Sequence, residues 1–177
     1  FNTDRYRAGT VVLNGETYDS ILINYDIYDQ QVILQVPGWI SDLNNKVVLN
    51  RESIDHFQID GIKFRKMSYP ETGTSFFQVM SSGGISCYML WTKKLYRSSA
   101  ASNARIRYLK QSREIYLQRE DRLFRIKNRA SFAGFFDEAY RKEIKEFLRR
   151  EKISFRDASD EQLGELMSFC IELKHGD

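Results

Sequence analysis

The chain has 177 residues, of which 42% are hydrophobic and 14% aromatic, with two prolines and a formal net charge of +3 at pH 7. Such a composition supplies a packed core, so it excludes an intrinsically disordered chain. The length fits one domain, or two small ones at most, and makes a repeat array unlikely. No run of 18 apolar residues occurs, and the sequence therefore predicts no membrane-spanning helix.

The N-terminal third has the pattern of β-strands joined by tight turns. Asn14-Gly15 follows a short apolar run and precedes the segment Tyr18 to Asp26, which is rich in aromatic and β-branched residues. This arrangement predicts a two-residue β-hairpin. A third strand is predicted from Gln31 to Val36, ending at Pro37-Gly38, and a fourth short strand around Val47 to Leu49.

Two more hairpins are predicted in the middle of the chain, at the turns Asp60-Gly61 and Ser81 to Gly84. Their strands are Phe57 to Ile59 with Ile62 to Met67, and Ser75 to Met80 with Ile85 to Thr92. Arg97 to Asn103 is small and polar, which predicts a mobile loop. Strands are then predicted at Arg105 to Lys110, Glu114 to Gln118 and Arg122 to Lys127, with a turn at Glu120-Asp121.

The hydrophobic period changes near residue 129. Apolar residues three or four apart predict one amphipathic helix from Ser131 to Arg150, whose phenylalanine stripe should pack on the sheet. A second helix is predicted after Ser159, with Gln162 completing a capping box. Its apolar stripe comprises Leu163, Leu166, Met167, Cys170 and Leu173.

Strands followed by helices predict an α+β fold with a largely meandering antiparallel sheet and two C-terminal amphipathic helices. The sheet could form a half-barrel or two packed layers, and the sequence leaves both open. We expect a single domain over residues 1–177, with a β-rich part at 1–128 and a helical part at 129–177 that packs on it.

Residues suited to catalysis are few. His56 lies beside Asp55, but neighbours on a strand point to opposite faces, so a structural role is favoured. His175 lies at the C-terminus, where fraying is expected. Cys87 and Cys170 lack metal-ligand spacing, and their apolar surroundings favour two buried thiols over a disulfide. We therefore predict no catalytic residues.

Metal and cofactor motifs are also lacking in the sequence. The N-terminal aspartates do not follow the pattern of a calcium-binding loop, and Gly83-Gly84 has no phosphate-loop context. We predict no metal and no cofactor. The aspartates considered are Asp19, Asp26, Asp29 and Asp42.

Charge is distributed unevenly. Ten basic and three acidic residues lie between Arg97 and Arg129, a local net charge of +7. If this segment forms strands, several arginines should share one sheet face and attract an anionic partner such as an anionic lipid, unless acidic residues of the helices pair with them. The candidate arginines are Arg105, Arg107, Arg113, Arg119 and Arg125, and the candidate internal partners are Glu138, Glu143 and Glu146.

Two parts of the chain resemble a group of uncharacterised exported proteins of Bacteroidota. The resemblance is carried by GTVVLNGETY from Gly9 with ILINYD from Ile21, and by the run from Arg105 to Phe155, with its EIKEFLRREKI helix ending at Ile153. It implies export to the periplasm or outer membrane, which fits a chain that begins at Phe1 after removal of a signal peptide. It makes nucleic acid an unexpected partner and supplies no catalytic residue.

These observations favour a non-enzymatic cell-envelope module that holds another protein through a sheet surface or edge. The alternative is a carrier of a hydrophobic or anionic small ligand in a curved sheet, and an enzyme of unknown class is third. A deep apolar cavity would favour the carrier, whereas a filled interior with an exposed apolar patch or strand edge would favour the module.

Overall fold

The computed structural model describes residues 5–36, 45–70, 72–82, 84–97, 106–108 and 111–175. Ten strands form one open antiparallel sheet in the order β12-β11-β8-β7-β6-β5-β1-β2-β3-β4, which confirms the predicted α+β class with an antiparallel, mostly meandering sheet. A separate two-stranded sheet pairs β9 with β10. The strands are β1 Arg7–Leu13, β2 Glu16–Asp26, β3 Gln31–Val36, β4 Asn45–Val48, β5 Ile54–Ile59, β6 Ile62–Tyr69, β7 Gly73–Ser82, β8 Ile85–Thr92, β9 Leu95–Arg97, β10 Ile106–Tyr108, β11 Ser112–Arg119 and β12 Arg122–Ile126.

The predicted turns have the backbone geometry that their residues favour. Asn14 and Gly15 have φ angles of 48° and 85°, and Asp60 and Gly61 have φ angles of 49° and 79°. Two consecutive positive φ angles define the hairpin turn whose twist matches that of the flanking strands, and Asn-Gly and Asp-Gly adopt it most readily. Both hairpins are therefore confirmed where the sequence predicted them.

The chain divides into two compact units. The first contains the described residues up to Gln78 together with those between Trp91 and Ser112, and the second contains those between Val79 and Leu90 and from Arg113 onward. The single domain over residues 1–177 stays a prediction. Most of the segment predicted to be a mobile loop, and Arg105 after it, lie outside the described residues.

Aromatic rings fill the interior of the first unit. Phe57 of β5 lies directly opposite Phe64 of β6, and their rings stack with centroids 4.8 Å apart. The rings of Tyr25 and Phe76 each contact the ring of Phe57, with centroids 5.1 Å apart in both cases. Burial of such large side chains contributes most of the stabilising apolar area, and it fixes the hairpin β5–β6 on its inner side.

Three helices and the strand pair β11–β12 build much of the second unit. The helices are α1 Arg129–Phe135, α2 Arg141–Arg150 and α3 Asp160–His175, with a short 3₁₀ turn at Glu138–Tyr140. Phe135 packs against Phe124 of β12 with ring centroids 5.5 Å apart, and Phe132 stacks on Phe155 at 5.1 Å.

The prediction of one continuous helix from Ser131 to Arg150 is wrong. Phe136 adopts an extended conformation (φ −93°, ψ 163°) and ends α1. Phe132, Phe136, Ile144 and Leu148 lie at multiples of four positions from one another. In a straight helix of 3.6 residues per turn, a stripe with that spacing rotates by about 160° between Phe132 and Leu148. The break allows Phe132, Phe136, Ile144 and Leu148 all to be buried.

The capping box of α3 is confirmed. The backbone N–H of Ser159 donates to Gln162 Oε1 at 3.0 Å, and that of Gln162 donates to Ser159 Oγ at 3.2 Å. Cys170 lies on the buried stripe of this helix, and both Cys170 and Cys87 are buried free thiols, as predicted. Burial raises the pKa of each thiol to about 12.

Candidate functional site

A register shift in β5 brings Asp55 and His56 to the same cavity. Val12 pairs with His56 and Leu13 pairs with Ile54, which leaves Asp55 as an extra residue between them. An extra residue of this kind interrupts the alternation of side chains along a strand, and Ile54 and Phe57, three positions apart, are accordingly both buried. The expectation that Asp55 and His56 lie on opposite faces is therefore wrong.

The cavity has a volume of about 450 Å³ and lies on the outer side of the hairpin β5–β6. Arg65 lies directly opposite His56, and Lys63 lies two residues before Arg65 on β6. Side chains on a strand alternate, so the inward position of Phe64 sends Lys63 and Arg65 outward together. The five lining residues, which we call the β5–β6 cavity, are Asp55, His56, Lys63, Arg65 and Lys66.

Two of these side chains are already engaged. Asp55 Oδ2 accepts a hydrogen bond from the backbone N–H of Gly15 at 2.8 Å. Lys66 Nζ donates to the carbonyl oxygens of Glu52, at 2.6 Å, and Arg51, at 3.4 Å. Among the described residues, no carboxylate lies within ion-pair distance of Lys63 or Arg65.

The electrostatic environment of His56 follows from its neighbours. Partial burial lowers the pKa of His56 and the charge of Lys63 lowers it further, while Asp55 opposes this shift and Arg65 adds to it. Cations close to an imidazole disfavour its protonated form. This environment favours the neutral form of His56, and the cavity carries three lysine or arginine charges against one carboxylate.

Three arginines of the predicted basic surface have partners within the second unit. Arg113 donates to the carbonyl oxygen of Ala158, and its Nη1 lies 3.4 Å from Asp160 Oδ1. Arg119 donates to the carbonyl oxygen of Phe135. The Arg125 guanidinium lies 2.5 Å from Glu114 Oε1. Asp160 and Glu114 thus pair with the arginines, in place of the glutamates Glu138, Glu143 and Glu146 that the sequence suggested.

The predicted arginines also do not share one face. Arg113 and Arg119 alternate with Glu114, Tyr116 and Gln118 on β11, whereas Arg125 lies directly opposite Tyr116 and so on the other face. Arg107 lies on β10, opposite Tyr96 in the separate two-stranded sheet, and Arg105 lies outside the described residues. Whether any of them binds an anionic partner stays a prediction.

The unpaired cations of β6 were missed because their segment is not unusually charged. The signal was nevertheless present: Lys63 and Arg65 alternate with Ile62 and Phe64 immediately after the Asp60-Gly61 turn. A two-residue turn sets the register, so the turn position alone places Arg65 opposite a residue of β5 near His56.

A second surface is apolar. Of the seven large hydrophobic side chains that are exposed in the described residues, six lie on β2, β3, β4 or the turn between β2 and β3. The exception, Phe124, contacts Phe135. We call the six the apolar margin: Tyr18, Leu22, Tyr28, Val36, Val47 and Val48.

Comparison of the chain with protein-family models, with curated proteins and with solved structures finds no match. No helix in the described part of the chain is long and apolar enough to cross a membrane. Nor do the described residues contain a group of three or more histidine, cysteine, aspartate or glutamate side chains that could hold a metal ion.

Proposed function

We propose that the protein is a non-enzymatic binding module of the cell envelope that holds a partner protein along the strand β4. The observation that carries this proposal is that β4, the last strand of the sheet, leaves both of its valines exposed. An edge strand with unpaired backbone groups and exposed apolar side chains is a template on which a strand of another chain can pair. The envelope location rests on the resemblance of the sequence to exported proteins.

The partner that fits this margin is an extended segment of another protein. β4 is the last strand of the sheet, so its outer side is where a further strand would add. Val47 lies opposite Leu34 and Val48 opposite Ile33, so the two valines point to different faces, and they are 45% and 53% exposed. An added strand with apolar residues would cover both.

The same strand has features that limit unselective pairing. It is only four residues long and contains Lys46, and short edge strands with a lysine resist aggregation. A partner must therefore offer a short apolar segment that tolerates the lysine. The two buried cysteines are poor candidates for a nucleophile, because burial raises the pKa of each thiol to about 12.

Site-specific photo-crosslinking in cells that make the protein tests this proposal. A photoreactive residue at position 48 should give one adduct of defined mass, and the same residue at exposed position 17 of β2 should not. Val48→Lys should abolish the adduct formed from position 47, while Thr17→Lys, which adds the same charge away from the edge, should leave it intact.

Three outcomes contradict the proposal. Equal labelling from positions 17 and 48 would show that the margin has no preferred partner. An adduct of twice the protein's own mass, together with a dimer in light scattering, would replace the partner by a second copy of this chain. A labelled lipid at position 48 would favour the carrier.

A further inference from the structure

We propose that the β5–β6 cavity binds a phosphate-type oxyanion group, with Lys63 and Arg65 as the residues that contact it. This site is separate from the apolar margin and does not depend on the function proposed there. It also differs from the arginine surface that the sequence suggested, because Arg113, Arg119 and Arg125 of that surface already have partners.

The first argument is that the backbone carrying the two cations is fixed. Phe57 and Phe64 stack on the inner side of the same hairpin, and both are fully buried. The turn at Asp60-Gly61 sets the pairing of the two strands. The backbone that carries Lys63 and Arg65 is therefore rigid, and a ligand would not have to order it.

The second argument is that the cavity has positive charge with no internal counterpart. Three cations face one carboxylate, and that carboxylate already accepts the Gly15 N–H. Lys66 lines one side of the cavity and donates hydrogen bonds to two backbone carbonyls. The remaining local charge matches a divalent oxyanion, for which the arginine fork and the lysine point charge are the usual ligands.

The third argument is size. A volume of about 450 Å³ exceeds what a bare phosphate fills and lies in the range of small-molecule sites. We therefore infer that the oxyanion is part of a larger molecule, either a soluble phosphate ester or a phosphorylated lipid headgroup. His56 lines the same cavity and would gain a proton more readily when a dianion offsets the neighbouring cations.

Nuclear magnetic resonance of the His56 ring tests the site with defined probes. Glycerol phosphate and inorganic sulfate should each shift the His56 signals saturably. The variant Lys63→Gln/Arg65→Gln should bind at least about tenfold more weakly, whereas Lys142→Gln/Lys145→Gln, which removes the same charge from exposed positions of α2, should bind within about twofold of the parent. Thermal unfolding verifies that both variants fold.

Two further arms identify the source of the group and the part that His56 plays. Flotation with phosphatidylcholine vesicles, with and without phosphatidic acid, separates a lipid headgroup from a soluble ester. Sulfate keeps its charge between about pH 5 and 8, so the tighter sulfate binding expected at the lower pH should be reduced in His56→Gln, with both proteins measured by titration calorimetry. Equal affinity of the parent and Lys63→Gln/Arg65→Gln, or the absence of saturable binding of every probe, would overturn the proposal.

Discussion

The hairpins β5–β6 and β11–β12 both carry several cations, and they differ in what those cations contact. On β11–β12, Arg113, Arg119 and Arg125 reach a carboxylate or a backbone carbonyl. On β5–β6, Lys63 and Arg65 have no carboxylate of the described residues within ion-pair distance. A higher local charge in the sequence therefore does not by itself mark the cations that lack an ion-pair partner.

Helices account for much of this difference. Arg113 contacts Asp160 of α3 and Ala158 just before that helix. Arg119 contacts Phe135 of α1. The stretch Asn50 to Ser68 contains no α-helix, and Lys66 in it donates to carbonyl oxygens of Arg51 and Glu52 in the same stretch. Charge density in a sequence thus indicates where cations lie, and the neighbouring elements decide whether those cations remain available to a ligand.

The largest expected effect comes from disrupting the helices that supply these partners. Phe136 is 2% exposed and contacts the rings of Phe132 and Phe135. Phe136→Asp would bury an unpaired carboxylate and should lower the free energy of unfolding by about 3–5 kcal/mol in urea denaturation. Lys142→Asp, an acidic substitution at an exposed position of α2, is the control. Equal stability of Phe136→Asp and the parent would show that α1 is not packed as described.

A smaller effect should separate the two hairpins directly. The Arg113 side chain is 9% exposed and bonds to the Ala158 carbonyl, so Arg113→Met should cost about 1–3 kcal/mol, because that carbonyl and Asp160 lose their partner. Arg65→Met should change the stability by less than about 0.5 kcal/mol. Similar costs at both positions, measured by urea unfolding, would contradict the distinction between paired and unpaired cations.

The smallest effect concerns pH. Burial and Lys63 lower the pKa of His56 in the folded protein, so the unfolded chain binds the proton more tightly. The contribution of neutral His56 to the free energy of unfolding is therefore complete above the unfolded pKa of about 6.5 and is lost as the pH falls below it. His56→Gln should therefore lessen the loss of stability between pH 7 and pH 5. Lys63→Gln should raise the pKa of His56 in a resonance titration, and an unchanged pKa would show that Lys63 does not face the ring.

Strands and turns were predictable because their signals are local. Asn14-Gly15 and Asp60-Gly61 determine the backbone of a two-residue turn, and the alternation of Ile62 to Arg65 then defines the two faces of β6. The capping residues Ser159 and Gln162 are similarly local. In each case the residues that provide the signal are the residues that form the contact.

The break at Phe136 and the register shift at Asp55 were not predictable in this way. A four-residue hydrophobic period is compatible with a helix over two turns, and only the combined burial of Phe132 and Leu148 favours an interruption. Asp55 is the extra residue in the pairing of β5 with β1, and the residues of β1 lie about 40 positions earlier in the chain. The helix break and the register shift both depend on contacts between residues that are far apart in the chain. The same holds for Arg113, which contacts Ala158 and Asp160.

The hydrogen bond from Gly15 to Asp55 joins the tip of one hairpin to a strand of another, 40 residues away in the chain. A backbone amide at an exposed two-residue turn ordinarily exchanges its hydrogen with water rapidly, whereas this amide is held for as long as β1 and β5 stay paired. The exchange rate at Gly15 therefore reports the opening of the β1–β5 pairing, and during refolding its protection marks the moment when two locally formed hairpins associate.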